Sequence, residues 1–266
     1  MGRNLAYSAL TLRVKASGEA NREAWFLTAE EGLVRATVFG GPKSRLRSQV
    51  APFHEGRLLI YHDPVRDSRK VSDFDVRSYR TGIHELYERA MTAAGVAETI
   101  LSSQGGGGNW QEAATLAAGT LDALDGADAT ACSRIAVYFF WHWARILGVA
   151  VELSTCASCA CEAGRDKVLW YNPREEALFC ENCAANFATN FATNFATRER
   201  ADFLLRIESG GRLWLKEIEA LPPAVLARVS AGEWPADGSS LVQAKALSKA
   251  VLGAALGKRL PTWDGI

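Results

Sequence analysis

Six cysteines carry the strongest chemical signal in this 266-residue chain, and five of them fall between positions 156 and 183. Cys156-x2-Cys159 and, twenty residues later, Cys180-x2-Cys183 each place two thiols on one tight knuckle. Two such knuckles brought together by a hairpin complete a tetrahedron of sulfurs around Zn²⁺. The intervening Val168–Tyr171 and Ala177–Phe179 read as the two strands of that hairpin, turning at Asn172-Pro173-Arg174. With all four positions filled by protein thiolates, no place is left for water or substrate, so the expected role of the zinc is structural. A redox dithiol is the competing reading. It is disfavoured because neither pair is expected to sit between a strand and a helix as in a thioredoxin-like unit. Cys161 is a spare thiol able to compete with Cys159, and Cys132 reads as a core residue of a helix.

The second signal is cationic. Gly40-Gly41-Pro42-Lys43-Ser44-Arg45-Leu46-Arg47-Ser48-Gln49 puts Lys43, Arg45 and Arg47 within five residues, on what reads as a flexible loop between two strands. Arg13, Lys15 and Arg35 alternate with apolar stripes on nearby strands and extend the same surface. Such a surface follows a sugar-phosphate backbone, while aromatic side chains (here Trp25, Phe39, Phe53 and Tyr61) stack on bases. The overall formal charge is zero. It is unevenly spread, with residues 1–80 carrying 14 Lys+Arg against 9 Asp+Glu and the remainder 16 against 21. A polyanion is therefore expected on the N-terminal part.

No catalytic constellation accompanies these groups. His54, His62, His84 and His142 show no ligand spacing, and there is neither a phosphate-binding Gly-Lys loop nor a nucleophile elbow. The carboxylate neighbours Glu30-Glu31, Glu175-Glu176 and Asp73/Asp75 fit solvated turns and strand faces. The chain is not expected to be an enzyme; a zinc hydrolase or dithiol oxidoreductase lacks a general base and an open metal position.

The elements that position these residues follow from periodicity. Tyr7–Lys15 alternates, with Leu10, Leu12 and Val14 on one face and Thr11, Arg13 and Lys15 on the other. Trp25–Ala29, Leu33–Phe39, Arg57–His62 and Val71–Tyr79 add four more short strands, the first two joined around Gly32 in a left-handed turn. Five strands in so short a stretch suit a small antiparallel barrel of OB type. From Ile83 the spacing is helical, to about Ser102; further helices are expected at Trp110–Leu124, Thr130–Val149, Arg198–Ile207, Gly211–Ala220 and Ser240–Leu256. Gly105–Gly108 reads as a flexible linker.

The expected architecture is thus α+β. An OB-fold barrel at 1–80 precedes a helical domain at 81–266, into which a four-cysteine zinc ribbon at about 154–185 is inserted. Asn-Phe-Ala-Thr occurs three times in tandem at 186–197. It reads as a lengthened helix or loop, or alternatively as a Phe187/Phe191/Phe195 stripe for a partner. No run of roughly 20 apolar residues is available for a membrane helix, and Met1–Leu5 lacks the apolar core of a secretory signal. Gly2 opens no myristoylation motif, since position six is Ala. A cytoplasmic protein, without membrane partners, is expected.

In order along the chain, these features resemble the RecO family of bacterial recombination mediators. Ala9-Leu10-Thr11-Leu12-Arg13-Val14 followed by Gly18-Glu19-Ala20-Asn21-Arg22 is similar to that family's first strand and its Gly-Glu-(Ala/Ser)-Asp-Arg stretch, with Asn21 in place of Asp. Thr28–Leu33, the Gly40–Leu46 loop and Pro52-Phe53 continue the likeness, and the cysteine quartet matches the zinc-bearing branch. The resemblance implies binding of single- and double-stranded DNA and annealing of complementary strands. It also implies action with RecR, and in some lineages RecF, to load RecA onto DNA coated by single-strand binding protein, whose C-terminal tail docks on the helical domain. Nucleoid association follows. The repeat and the neutral charge depart from the family pattern. The alternative function is a zinc-stabilised protein–protein adaptor with only incidental DNA contact.

Overall fold

In the computed structural model, which describes residues 3–41, 44–164, 166–192, 204–228 and 238–266 (backbone alone at 187–192), the strand-rich and helix-rich parts appear in the expected order. Five strands, β1 (Arg3–Ser17), β2 (Asn21–Thr28), β3 (Gly32–Val38), β4 (Glu55–Asp63) and β5 (Ser68–Ser78), close into a barrel in the order β1-β2-β3-β5-β4. That five-stranded order is an OB barrel. All its ladders are antiparallel except the seam, where β3 meets β5 in parallel through Thr37 and Lys70. Gly32 adopts φ 71°, the left-handed turn expected of it, and the indole of Trp110 lies where a Cβ would be.

The long strand β1 departs from simple alternation. Its register against β2 slips between Thr11 and Arg13, a bulge that reverses the face on which side chains stand. Before it, Tyr7 and Ala9 point into the barrel with Phe26, Leu58 and Phe74; after it, Val14 packs on the same core. Leu10 and Leu12 are buried outside that core, and Thr11, expected on the outer face, is fully buried. The outer wall of β1-β2-β3 is divided as a result. One half meets two helices, α2 (Tyr87–Ser102) and α3 (Trp110–Asp125), while the other half stays open and carries Arg13, Lys15 and Arg35.

Between β3 and β4 the expected flexible loop contains a short helix instead, α1 (Arg45–Gln49). Leu46 and Val50, four residues apart, press into the barrel core, and this apolar anchor winds the segment into a helical turn. The Gly105–Gly108 run is likewise no open linker. All four glycines have positive φ, Gly105 and Gly106 are buried, and Gly105 abuts Leu33 and Leu27. Helix α2 begins at Tyr87 rather than Ile83, because Arg80 in a left-handed conformation (φ 45°) and a 3-10 turn at Thr81–Glu85 come first.

The chain divides into two compact units, residues 1–132 with 260–266, and residues 133–259. Helices α2 and α3 thus group with the barrel, although the change from strand to helix itself falls near 80. Helix α4 (Ala129–Ile146) supplies the buried aromatics Phe139, Phe140, Trp141 and Trp143. The second unit then has a three-stranded antiparallel sheet, β7 (Ala177–Cys180), β6 (Leu169–Asn172) and β8 (Leu205–Ile207), in that order. Residues 205–207 were expected to end a helix but form the strand β8. Their pairing with β6 satisfies backbone groups that an isolated two-stranded hairpin leaves exposed. Among the described residues, helices α5 (Glu181–Ala192), α6 (Ser209–Ile218), α7 (Pro223–Arg228) and α8 (Gly238–Leu256) follow in this unit. Pro223 opens α7, where its missing N–H costs nothing. The Asn-Phe-Ala-Thr repeat overlaps α5, but its phenylalanine side chains and residues 193–197 lie outside the described residues. No described helix is long and apolar enough to cross a membrane.

Candidate nucleic-acid interface and metal centre

Trp25 organises the open half of the barrel wall. It stands on β2 directly opposite Arg13 on β1 and directly opposite Arg35 on β3. The two guanidinium carbons lie 5.7 and 5.6 Å from the indole centroid, and Lys15 Nζ lies 6.0 Å from it. Three like charges on neighbouring strands repel one another; the negative face of the indole offsets part of that repulsion and holds them in one patch. Arg35 also pairs with Glu23, while Arg13, Lys15 and Arg35 all remain exposed. Sequence alternation alone placed all three on this face, and the bulge in β1 leaves their side of the prediction intact.

Of the second predicted trio, Arg45 and Arg47 are exposed on α1, and Lys43 lies outside the described residues. Arg22, which the sequence reading passed over, donates to the backbone carbonyl of Arg47. Burial and the nearby Arg47 charge lower the Arg22 guanidinium below its ordinary value. Two guanidinium groups are thus crowded together at one end of the barrel.

The predicted aromatic contacts separate into two kinds. Phe39 and Tyr61 are exposed, Trp25 is half-buried, and Phe53 is buried against His84 with a ring-centroid separation of 6.0 Å. Phe53 is therefore a packing residue at a left-handed turn (φ 70°) and not a surface platform. A groove of about 540 Å³ follows the β3–β5 seam, and its lining mixes charges: Arg35 and Arg69 alongside Glu23, Glu31 and Asp67, with Leu33, Thr37 and Ser68 between.

In the second unit, Cys156, Cys159, Cys180 and Cys183 bring their four sulfurs within 4.8 Å of one another. The Cys159–Cys180 separation is 3.8 Å. A tetrahedral ion with sulfur at ~2.3 Å requires edges of about 3.8 Å, so the quartet has the size to hold one metal ion. The first knuckle is closed by Ala160 N–H donating to Cys156 O at 2.9 Å and by the left-handed Ala160 (φ 56°). The second knuckle runs off the end of β7 into the first turn of α5, where the helix dipole favours thiolate. That pair does lie between a strand and a helix, contrary to expectation. The surrounding sheet is antiparallel, however, and the other pair's sulfurs complete a quartet.

Burial pushes the Cys156 thiol up, but backbone N–H groups of Cys159, Cys180 and Ser158 outweigh it and bring it down to about 6. Cys183, although bonded by Ser158, is driven up to about 12 by the thiols of Cys180, Cys159 and Cys156. Backbone and side-chain hydrogen bonds from Cys161 also lower the Cys159 thiol, so the four sulfurs differ in how readily they ionise. Cys161 contacts Cys159 and Cys180 but stands outside the quartet.

Arg212 on α6 ties the cysteine loop to the helices. Buried to 2 % exposure, it donates to the carbonyls of Leu153 (2.8 Å), Gly164 (3.2 Å) and Lys167 (2.6 Å). On the adjoining sheet Tyr171 is fully buried, its hydroxyl has no hydrogen-bond partner among the described residues, and burial pushes it up to about 12. Tyr171→Phe is expected to leave stability unchanged or raise it by up to about 1 kcal/mol, since an unsatisfied hydroxyl is removed and the ring kept. Thermal unfolding of the variant checks this, and a clear loss of stability contradicts it.

Two family models match the chain. "Recombination protein O N terminal" covers residues 1–79, the whole barrel, and "Recombination protein O C terminal" covers residues 84–220, including the cysteine quartet. No curated protein matches it in a sequence search. With more than half its length covered by these two models in their proper order, the chain belongs to the recombination protein O family, whose work is DNA recombination and repair.

Proposed function

We propose that this protein is a recombination mediator whose barrel binds DNA and anneals complementary strands. The observation that carries this reading is the row Arg13–Trp25–Arg35 with Lys15, three exposed cations held around one indole on the outer wall of an OB barrel. Arg45 and Arg47 on α1, and Lys43 beside them in sequence, extend the proposed contact. Annealing needs no catalytic side chain. Phosphate charge must be neutralised on two strands while their pairing edges stay free, and exposed cations on a rigid wall do both. The reading is therefore of a binding protein with no reaction of its own. It acts with RecR, RecA and the tail of single-strand binding protein, and in some settings RecF, in the cytoplasm at the nucleoid. The ion assigned to the cysteine quartet is one structural Zn²⁺, which fits four thiolates and leaves no open position.

The test is salt-dependent binding of fluorescent single-stranded DNA, followed by addition of the complement. Tight, salt-sensitive binding with accelerated annealing is expected. Replacing Arg13, Lys15 and Arg35 together by Ala is expected to flatten the log–log salt slope by up to about 2 units for single strands and about 2.7 for duplex, if each cation meets one phosphate. The same measurement on a Lys43/Arg45/Arg47 triple-Ala variant apportions the contact between the two trios. An unchanged slope in both variants removes the barrel from the DNA site, and absence of binding at low salt favours the adaptor.

A further inference from the structure

Beyond the charged row, the outer wall presents two aromatic rings that the core does not use. Phe39, just past β3, is 44 % exposed, and Tyr61 on β4 is 40 % exposed. Lys70 on β5 links them. Its Nζ lies 5.2 Å from the Phe39 ring centroid, and in the β4–β5 ladder it stands directly opposite Tyr61. Its partner across the seam is Thr37, which shares the outer face of β3 with Arg35. The two sets therefore lie on one path: Trp25 on β2, Arg35 on β3, Lys70 on β5 and Tyr61 on β4, crossing the seam groove.

The two ends of this path differ. Trp25 has three cations around its ring, so it holds charges in place. At the other end Tyr61 is exposed, and beside it Phe39, with Lys70 over its ring, is exposed as well. Exposed rings alternating with cations match the two demands of an unpaired polynucleotide, a flat apolar surface for each base and a positive charge for each phosphate. A duplex meets only the second demand, because its bases are already stacked on one another.

We propose that Phe39 and Tyr61 form a base-stacking subsite for single-stranded nucleic acid, with Lys70 between them neutralising the intervening phosphate. This deepens the DNA-binding reading above and rests on it. It makes the barrel wall selective for unpaired strands at one end and indifferent to strandedness at the other.

The experiment uses the full chain with three probes: a fluorescent oligothymidylate, an abasic oligomer of equal length, and a duplex. Wild type is expected to bind the oligothymidylate at least about 25-fold more tightly than the abasic strand, each stacked base contributing roughly 5-fold or more. Phe39→Ala combined with Tyr61→Ala is expected to erase that preference, leaving duplex affinity and the salt slope in place, since no charge is removed. Tyr61→Phe, which keeps the ring, is expected to retain the preference, and Lys70→Ala to lower the single-strand slope by about 0.7. A double variant that still prefers bases, or a wild type that binds abasic and natural strands equally, overturns the subsite while leaving the DNA reading standing. Failure of all three probes to bind wild type at low salt overturns the DNA reading itself.

Discussion

Arg80→Ala is expected to lower stability by about 1–3 kcal/mol, the cost of leaving a buried acceptor without its donor, since the carboxylates paired with Arg80 are themselves 29 % (Glu55) and 60 % (Asp122) exposed. The Arg80 side chain is 1 % exposed. Its Nε donates to Asp122 at 2.7 Å, one terminal nitrogen donates to the Phe53 carbonyl at 2.9 Å, and the other pairs with Glu55. One guanidinium thus joins the start of β4, the turn before it and helix α3. Removing it leaves Glu55 and Asp122 without their cation and the Phe53 carbonyl without its donor. Arg80→Lys is expected to recover only part of the loss, because a single ammonium cannot reproduce a planar fork aimed at three acceptors. Arg80→Gly separates the backbone from the side chain: it relieves the left-handed φ of 45° yet still loses the network, so it is expected to stay close to the Ala variant. Urea titrations of the three variants decide the matter. A loss under about 1 kcal/mol for Ala indicates a network that solvent replaces.

Removing the metal is expected to have the larger effect, confined to the cysteine segment. Zinc-finger peptides gain about 10–16 kcal/mol of apparent free energy from their ion, which sets the scale for a sheet this small. Chelation, or Cys156→Ser, is expected to strip hydrogen-exchange protection from residues 169–180 while the barrel strands keep theirs. Stripping the ion is also expected to leave the DNA binding proposed for the barrel intact. Because the ligands must be thiolates, binding releases protons, and affinity falls as pH falls. Metal analysis alongside exchange is the check; full protection at residues 169–180 in metal-free protein contradicts a structural ion. Cys161→Ser is a control expected to keep one ion per chain.

How much of this was legible beforehand depends on the reach of each signal. The cysteine knuckles, the five strands and the cationic alternation at Arg13, Lys15 and Arg35 are local patterns that the fold preserves. The bulge at Thr11–Arg13 was not legible, because Leu10, Leu12 and Val14 alternate without interruption in the sequence and only pairing with β2 shows the reversal. Helix α1 was hidden by its short length, and β8 by lying far in sequence from the strand it pairs with. Phe53 carried the same aromatic signal as Phe39, and burial alone separates them. Arg22 and Lys70 were missed for a similar reason: their meaning comes from cross-strand and cross-seam neighbours. Arg80 gave no signal at all, since its partners come from two separate segments, residues 53–55 and helix α3.

The discontinuity of the first unit also bears on how the chain is made. Residues 260–266 belong with the barrel and α2, where Trp263 is buried and donates from Nε1 to Thr99 Oγ1 at 3.2 Å, and Thr262 N–H donates to Glu98 at 3.2 Å. A ribosome delivers that segment only after the 127 residues of positions 133–259. At ~5–20 residues per second this is a wait of roughly 6–25 s. During that interval the nascent barrel can close, but the face of α2 awaiting Trp263 is bare. Translation order thus leaves a half-built unit with an exposed apolar face, the kind of surface that holdase chaperones grip.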